Sequence, residues 1–529
     1  RRWPVRPLPG APLPCEGAVG KGAAAEAEEV LRDNVFAEHA ALRRELRWRL
    51  ALPIHRRVGP EATLNTLRYL FYHMRCGIFV AIRRRTVVMF VPFCNRDYRN
   101  TWSDQLQMDA AAVKRYYAHK RKSGFREEDV LLDTSRWWAN GNIICNEPAQ
   151  PGEPVRHWAD TFFVQLREML EACCARREVP DCEFFLNKRD FPHLKANVTE
   201  PYDFMYDHDD HPLPREKYAT YAPVASFFCS SVFADLPFPP TDDWETATGK
   251  VYPVMGVDIR AAKKRQAFDV PWAEKKPTGM FRGNATGGGV TPETNQRLRL
   301  AKLSKEWSQD PRYNGEGDGS GHPFVDAGVV GWNKRDKKVQ GEPMRFIQAK
   351  ELERSIGRAG RIPMFEQVSN KYLFYVEGHC AAARYASLMV LGCVILKVDS
   401  VTKADHLWYF PLLTAFDFAT ADARGATVTT EDHVVINKDL SNLADAIAWL
   451  RAHDDQAERM AANAKDKAER LLGEDGILDY MQLMMWEIAA RWDESEGAGE
   501  VSEGVADAAA AAAGGAAWRD ACGVVDDDW

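Results

Sequence analysis

Residue types able to do chemistry gather at three places in this sequence. In the first, Asn187-Lys188-Arg189-Asp190 closes the apolar stretch CEFFL, so a carboxylate stands at the carboxyl end of an expected strand beside two cations. The cations keep Asp190 ionised at neutral pH and able to take a proton from a bound hydroxyl. A salt-bridged turn is the competing reading. In the second, residues 278–304, a strand over 279–281 meets Arg282-Gly283 and then the run Gly287-Gly288-Gly289. A helix follows, its start marked by Thr291-Pro292-Glu293, and it carries Arg297. Glycines there let backbone N–H groups approach a phosphate closely, and Arg282 and Arg297 supply charge. The spacing is neither that of a Walker loop nor that of a dinucleotide-binding fingerprint, and a plain turn is the alternative. In the third, residues 371–400, a buried strand over 372–376 breaks at Glu377-Gly378. A helix over 381–389, with Arg384 in its first turn, leads to a second strand over 390–398. A helix N-terminus with a guanidinium favours a phosphate. The alternative is an ordinary strand-helix-strand unit in which Arg384 pairs with Glu377.

Asp207-His208-Asp209-Asp210-His211 carries ligand types for a metal. No apolar strand precedes it and Pro212 and Pro214 flank it, so it reads as a solvated loop.

These groups need elements to hold them. GIFVAI and TVVMFVPF, joined by an Arg-rich turn, predict a β-hairpin, and residues 158–173 an amphipathic helix. Residues 226–230 read as a short buried strand, 235–244 as a proline-rich link, and 308–345 as a Gly- and Lys-rich surface excursion. Helices are expected over 443–453, 456–472 and 477–492, with Met481, Met484, Met485 and Trp486 as core. Residues 1–25 and 494–529 have the composition of disordered segments. The resulting division is an N-terminal domain over 26–245, a C-terminal domain over 246–475 and a C-terminal helix over 476–493.

At 529 residues the chain exceeds a single core. Its net charge of -7 gives no basic field for nucleic acid, and the runs at 43–49 and 83–85 read as solvated faces. No apolar window spans a membrane. Eleven cysteines lack zinc or C-x-x-C spacing, although some could pair in an oxidising lumen. The sequons at Asn197 and Asn284 weakly favour a secretory route. The first residues, RRWPVRPLPGAPLPCEG, have no initiator Met and no signal-peptide core, and read as a trimmed chain or one whose targeting segment lies outside the sequence.

Read in order, FFLNKRDFP, ASFFCSSVFADLPFPPTDDW, MFRGNATGGGVTPETNQRLRLAKLS, KYLFYVEGHCAAARYASLMVLGCVILKVDS and DLSNLADAIAWL resemble glycosyltransferase family 90. That family includes fungal capsule-associated xylosyltransferase-like proteins and the protein O-glucosyltransferases of the endoplasmic reticulum. The forms PTDDW and TNQRL are similar to those of algal and large-virus members. The resemblance implies an α/β, GT-B-like architecture, two Rossmann-like domains facing across a cleft. The C-terminal domain would bind UDP-glucose or UDP-xylose, the N-terminal one a protein or glycan acceptor. Asp190 matches the position of the general base; Arg282, Gly283, Asn284 and Thr286 match a donor loop, to which the glycine run from Gly287 and Arg297 add; and Glu377, Gly378 and Arg384 match an E-G-x-x-x-x-x-R motif. Inverting sugar transfer then needs no obligatory cofactor or metal, since Arg384, the glycine loop and the helix N-terminus after Gly378 stabilise the leaving diphosphate. Two departures stand out: Asn284 replaces the usual Ser, and FDFATADARGATVTTEDHVVI (416–436) replaces a stretch expected to border the donor. They motivate an alternative, a catalytically impaired protein that binds UDP or glycans. Kinase or dehydrogenase chemistry lacks its fingerprints. The expected compartment is the secretory lumen, or the cytoplasm if the chain is of viral type.

Overall fold

The computed structural model describes residues 27–94, 138–143, 159–198, 220–248, 270–333 and 346–492, less 28, 38, 56–57, 71–73, 75, 140–141, 188 and 403. The chain forms two compact units. Of the described residues, one unit holds those from Asp242 to Ile477, and the other those up to Thr241 together with those from Leu478 on.

In the unit that begins the chain, the predicted hairpin is β1 (Cys76–Arg83) and β2 (Thr86–Cys94). Its two-residue turn places Arg84 and Arg85 at φ 48° and 58°, the left-handed region that a tight hairpin turn demands at both central positions. A two-residue ribbon, β3 (Trp138–Ala139) and β4 (Asn142–Ile143), follows. The Ala159–Arg176 helix precedes β5 (Cys182–Leu186), a fully buried strand. The expected strand over 226–230 ends where it was expected to begin. The strand is β6 (Val224–Ser226), and bends follow it. The proline-rich link contains β7 (Leu236–Pro237) and the Thr241–Ala247 helix. The sheet order is β2-β1-β5-β6-β7, with β1 antiparallel to both neighbours and β5, β6 and β7 parallel.

Arginine 49 corrects the solvated-face reading of its run. It is 1% exposed, pairs with Glu45, and Nη1 donates to the carbonyls of Ser230, Phe233 and Asp235. Arg43 and Arg47 pair with Glu487 of the Glu474–Ala489 helix. Met481, Met484, Met485 and Trp486 of that helix are buried, as predicted.

The Asp242–Ile477 unit is built on a wholly parallel sheet, ordered β12-β13-β11-β10-β8-β9. Its strands are β8 (Lys276–Asn284), β9 (Val325–Gly331), β10 (Asn370–Tyr375), β11 (Val394–Val398), β12 (Ala415–Phe416) and β13 (His433–Ile436). Continuous apolar runs such as Tyr372–Tyr375 and Val394–Leu396 are buried, the mark of a parallel strand covered on both faces. The expected surface excursion therefore hides an edge strand, β9, whose two glycines and single aspartate (VDAGVVG) obscure its apolar pattern.

Segment 416–436, expected as an altered loop, is regular structure. β12 leads through the Phe418–Arg424 helix into β13, a parallel crossover at the sheet edge. Trp449 Nε1 donates to Asp422 Oδ1 at 3.0 Å and stacks its ring on His453, holding that helix in place.

Seven cysteines among the described residues, Cys76, Cys173, Cys174, Cys182, Cys229, Cys380 and Cys393, are free and buried. No helix among the described residues is long and apolar enough to cross a membrane.

Candidate functional site

In the parallel sheet the chain runs from β8 outward to β9 and then returns to the other side of β8 as β10, continuing outward to β11. The order thus reverses between β8 and β10, and in open α/β sheets the ligand crevice lies beyond the carboxyl ends of strands at such a reversal. The two predicted motifs leave the sheet at this place. Arg282, Gly283 and Asn284 end β8, and Glu377-Gly378 follow β10.

The motifs are packed on each other. Gly287 has φ +106°, and a Cβ there would meet Asn295 Nδ2 at 3.3 Å and Gly378 O at 3.4 Å. A Cβ on Gly378 would meet Thr286 Oγ1 at 3.1 Å. A side chain at either position would push the two loops apart, so glycine is what allows their close approach. Gly289, at φ +79°, is tighter still, with Thr294 Oγ1 2.4 Å from an added Cβ.

Helices begin later than predicted on both sides. The first is Gln296–Trp307, and its cap is Asn295, whose Oδ1 accepts from Arg297 N at 3.0 Å and Leu298 N at 3.1 Å. Thr291–Thr294 form the preceding turn, because the Thr294 hydroxyl engages residues 290 and 291 and diverts the chain from helix. The second is the short helix Tyr385–Met389, so Arg384 is its N-cap residue rather than a member of its first turn.

The three arginines do different work. Arg297 is 5% exposed; Nε donates to Glu377 O at 2.8 Å, Nη1 to Asn284 O at 3.0 Å and Nη2 to Val376 O at 2.9 Å. It ties the end of β8 to the end of β10 through carbonyl groups. Burial, with Arg384 nearby, pulls its pKa down to about 9. Arg282 pairs with Asp326 of β9 at 2.7 Å and also donates to Asp326 O and Phe281 O. Arg384 Nη1 donates to Arg282 O at 3.0 Å, and its guanidinium lies 5.8 Å from the Phe281 ring centroid. Positive charge is thereby concentrated where the strand order reverses, which suits an anionic ligand.

Glu377 is a clamp on backbone. Its Oε1 accepts from Val401 N at 2.7 Å and Thr402 N at 2.9 Å, and Oε2 from Ser400 Oγ at 2.5 Å. Those bonds fix the turn that leaves β11, whose Val401 is 51% exposed. Burial pushes the carboxyl up to about 7 against these three bonds, which favour the ionised form.

In the other unit, Asp190 is exposed in the bend after β5. Beneath it lies a buried network that the sequence reading missed. Asn187 Oδ1 accepts from Arg189 N at 2.7 Å, and Nδ2 donates to Phe191 O at 2.8 Å and Ser226 Oγ at 3.0 Å. Ser226 Oγ donates to Asp235 Oδ1 at 2.6 Å, and Asp235 also accepts from His193 N at 2.7 Å and Leu194 N at 2.6 Å. The carboxylate shapes the turn that carries Asp190, and burial raises its pKa to about 6. An acidic residue just before an apolar strand, as in Ala234-Asp235-Leu236, was the signal available in the sequence. Lys188 and the Asp207–His211 cluster lie outside the described residues, as does Thr199 of the first sequon. Among the described residues, no three His, Cys, Asp or Glu side chains are grouped to hold a metal ion.

A parallel sheet whose glycine loops and arginines meet at a strand-order reversal defines an α/β protein with cationic side chains gathered at the carboxyl ends of its central strands. Comparison with known proteins sharpens that class. Residues 162–408 match the family model glycosyl transferase family 90. Uncharacterized protein 179R of Invertebrate iridescent virus 6 is 30% identical over 486 residues, 83% of this chain and 38% of its own length. Human protein O-glucosyltransferase 3 is 24% identical over 326 residues, 61% of this chain and 50% of its own length. Human protein O-glucosyltransferase 1 is 22% identical over 317 residues, with 58% and 62% covered. The chain thus spans less than two thirds of these relatives.

Proposed function

We propose that the chain is an inverting glycosyltransferase of GT-B type that moves glucose or xylose from a UDP-sugar to a hydroxyl of a protein or glycan. The observation that carries the reading is the meeting of Arg384, the Gly287–Gly289 loop and the Glu377-Gly378 turn at the β8/β10 reversal. Guanidinium and amide groups there stabilise the diphosphate that departs when the glycosidic bond to the donor breaks. Asp190 accepts the proton of the attacking hydroxyl, and its buried support through Asn187 and Asp235 holds it at a fixed height above β5. Because fixed cations offset the leaving charge, Mn²⁺ is dispensable; activity abolished by EDTA and restored by Mn²⁺ would sink that part.

The O-glucosyltransferase relatives make UDP-glucose the first donor to test, with UDP-xylose, UDP-galactose and UDP-GlcNAc beside it. UDP release is the readout. A chain that binds UDP yet releases none from any donor, with acceptor or with water, is the impaired binding protein instead. The ordered β12-helix-β13 crossover supports retained activity, since it extends the sheet edge two strands away from β10. The O-glucosyltransferase relatives support a secretory-lumen location and the viral relatives a cytoplasmic one; fractionation of expressing cells, with protease protection of the chain inside vesicles as the readout, decides between them.

A further inference from the structure

Beside the crevice, two acceptors are left without donors. Gln296 opens the Gln296–Trp307 helix and is 7% exposed; Nε2 donates to Asp399 O at 2.7 Å and Lys438 O at 3.0 Å. Two carbonyl partners require the NH₂ end, so the amide orientation is fixed by chemistry and Oε1 is the atom left over. It is buried and, among the described residues, has no hydrogen-bond partner. Asp399 directly follows β11, and its N–H donates to Ile436 O at 2.7 Å. Its Oδ1 is also buried without a partner among the described residues. Neither atom can donate, so only a group bringing hydrogen-bond donors satisfies them, and leaving them bare costs folding free energy.

Their place in the sheet says which group. β11 is the neighbour of β10, one strand beyond the reversal where the phosphate groups are proposed to sit, and adjacent strands are about 4.8 Å apart. A nucleoside diphosphate anchored at the reversal and lying along this edge brings the group next to its phosphates to β11. That group is a ribose, whose adjacent hydroxyls are two donors a single bond apart. Burial raises the Asp399 carboxyl above its ordinary value, against the opposing pull of Lys397, His433 and Lys438, and Asp405 adds to the rise.

We propose that Asp399 and Gln296 are a specificity-determining acceptor pair for a vicinal diol, taken from the ribose of the nucleotide donor. The inference rests on the UDP-sugar reading above. Calorimetric titration of the full chain with UDP, 2′-deoxy-UDP and inorganic pyrophosphate tests it. The wild-type chain is expected to bind UDP about tenfold more tightly than 2′-deoxy-UDP. Asp399→Ala brings that ratio to within about twofold of one and leaves pyrophosphate affinity unchanged. Asp399→Asn keeps the shape and lowers the ratio part of the way, and so guards against a folding defect. If UDP binds but the ratio is the same in the wild type and both variants, the pair is overturned and the donor reading stands. If the variants instead reduce the gain of UDP-glucose over UDP, the diol belongs to the sugar and the ribose assignment fails. If the wild-type chain does not bind UDP, the donor reading itself falls.

Discussion

Asp235 in one unit and Glu377 in the other solve the same problem with the same parts. Each is a buried carboxylate that accepts from two consecutive backbone N–H groups and one serine hydroxyl, and each thereby fixes a turn leaving a parallel strand. The difference lies in what the turn presents. Above Asp235 it ends in one exposed carboxylate, Asp190; around Glu377 it borders three guanidinium groups. In both places the buried carboxyl group shapes backbone, and a less enclosed charged residue stands beside it. A residue's sign therefore says less about its role than its burial does.

The largest expected effect falls on the exposed carboxylate. Asp190→Asn should lower turnover by about 10²–10⁴-fold while UDP affinity stays within about twofold. Equal loss of both would make Asp190 a part of the scaffold, and the contrast between the two turns would collapse. Next comes Arg297→Leu, which strips three carbonyl groups of their donor; a loss of ~3–5 kcal/mol in the Asp242–Ile477 unit is expected by denaturant unfolding. Arg297→Lys should not rescue it, because one ammonium cannot span three carbonyls in the fork geometry. Preserved stability with weakened UDP binding would instead make Arg297 a ligand contact. Arg384→Ala is the converse: about 10- to 100-fold weaker UDP binding with little change in melting temperature.

The smallest effect is on pH dependence. Glu377 is raised from 4.5 to about 7 and Asp235 from 3.8 to about 6. In those windows the folded chain holds protons that the unfolded chain has released, so stability is full at low pH and falls as pH rises through 6 and then 7. Glu377→Gln should flatten the upper part of that slope and Asp235→Asn the lower part, measured as unfolding midpoints between pH 5 and 8. Slopes unaltered by both substitutions would remove the parallel between the two clamps.

Much of this was legible because parallel strands are apolar throughout and end in glycine or charge. Cys182–Leu186, Tyr372–Tyr375 and Val394–Leu396 stand out for that reason, and with them the motifs at their carboxyl ends. β9 did not, since Gly328 and Asp326 interrupt its pattern while pairing to β8 supplies the missing preference. The late helix starts escaped notice because Thr294 and Asn295 compete locally for backbone N–H groups. In sequence Arg297 is a charge beside a glycine run, and nothing in one dimension reveals that three carbonyls from the ends of β8 and β10 converge on it. Asp235 lies within a proline-rich stretch, and only its contact with residues 193 and 194 gives it meaning.

The Glu474–Ala489 helix also sets an order of assembly. From Asp479 on it contributes to the unit that begins the chain: Asn34 Nδ2 donates to Asp479 O, Tyr480 Oη to Pro237 O, and Gln482 and Trp486 to Glu178 O. Among the described residues, those of the parallel-sheet unit run from Asp242 to Ile477, between the two parts of the other unit. On the ribosome, then, the middle of the polypeptide can finish before its beginning does. The earlier segment waits for its partners to Asn34, Glu178 and the Pro237 carbonyl until about 250 further residues have emerged.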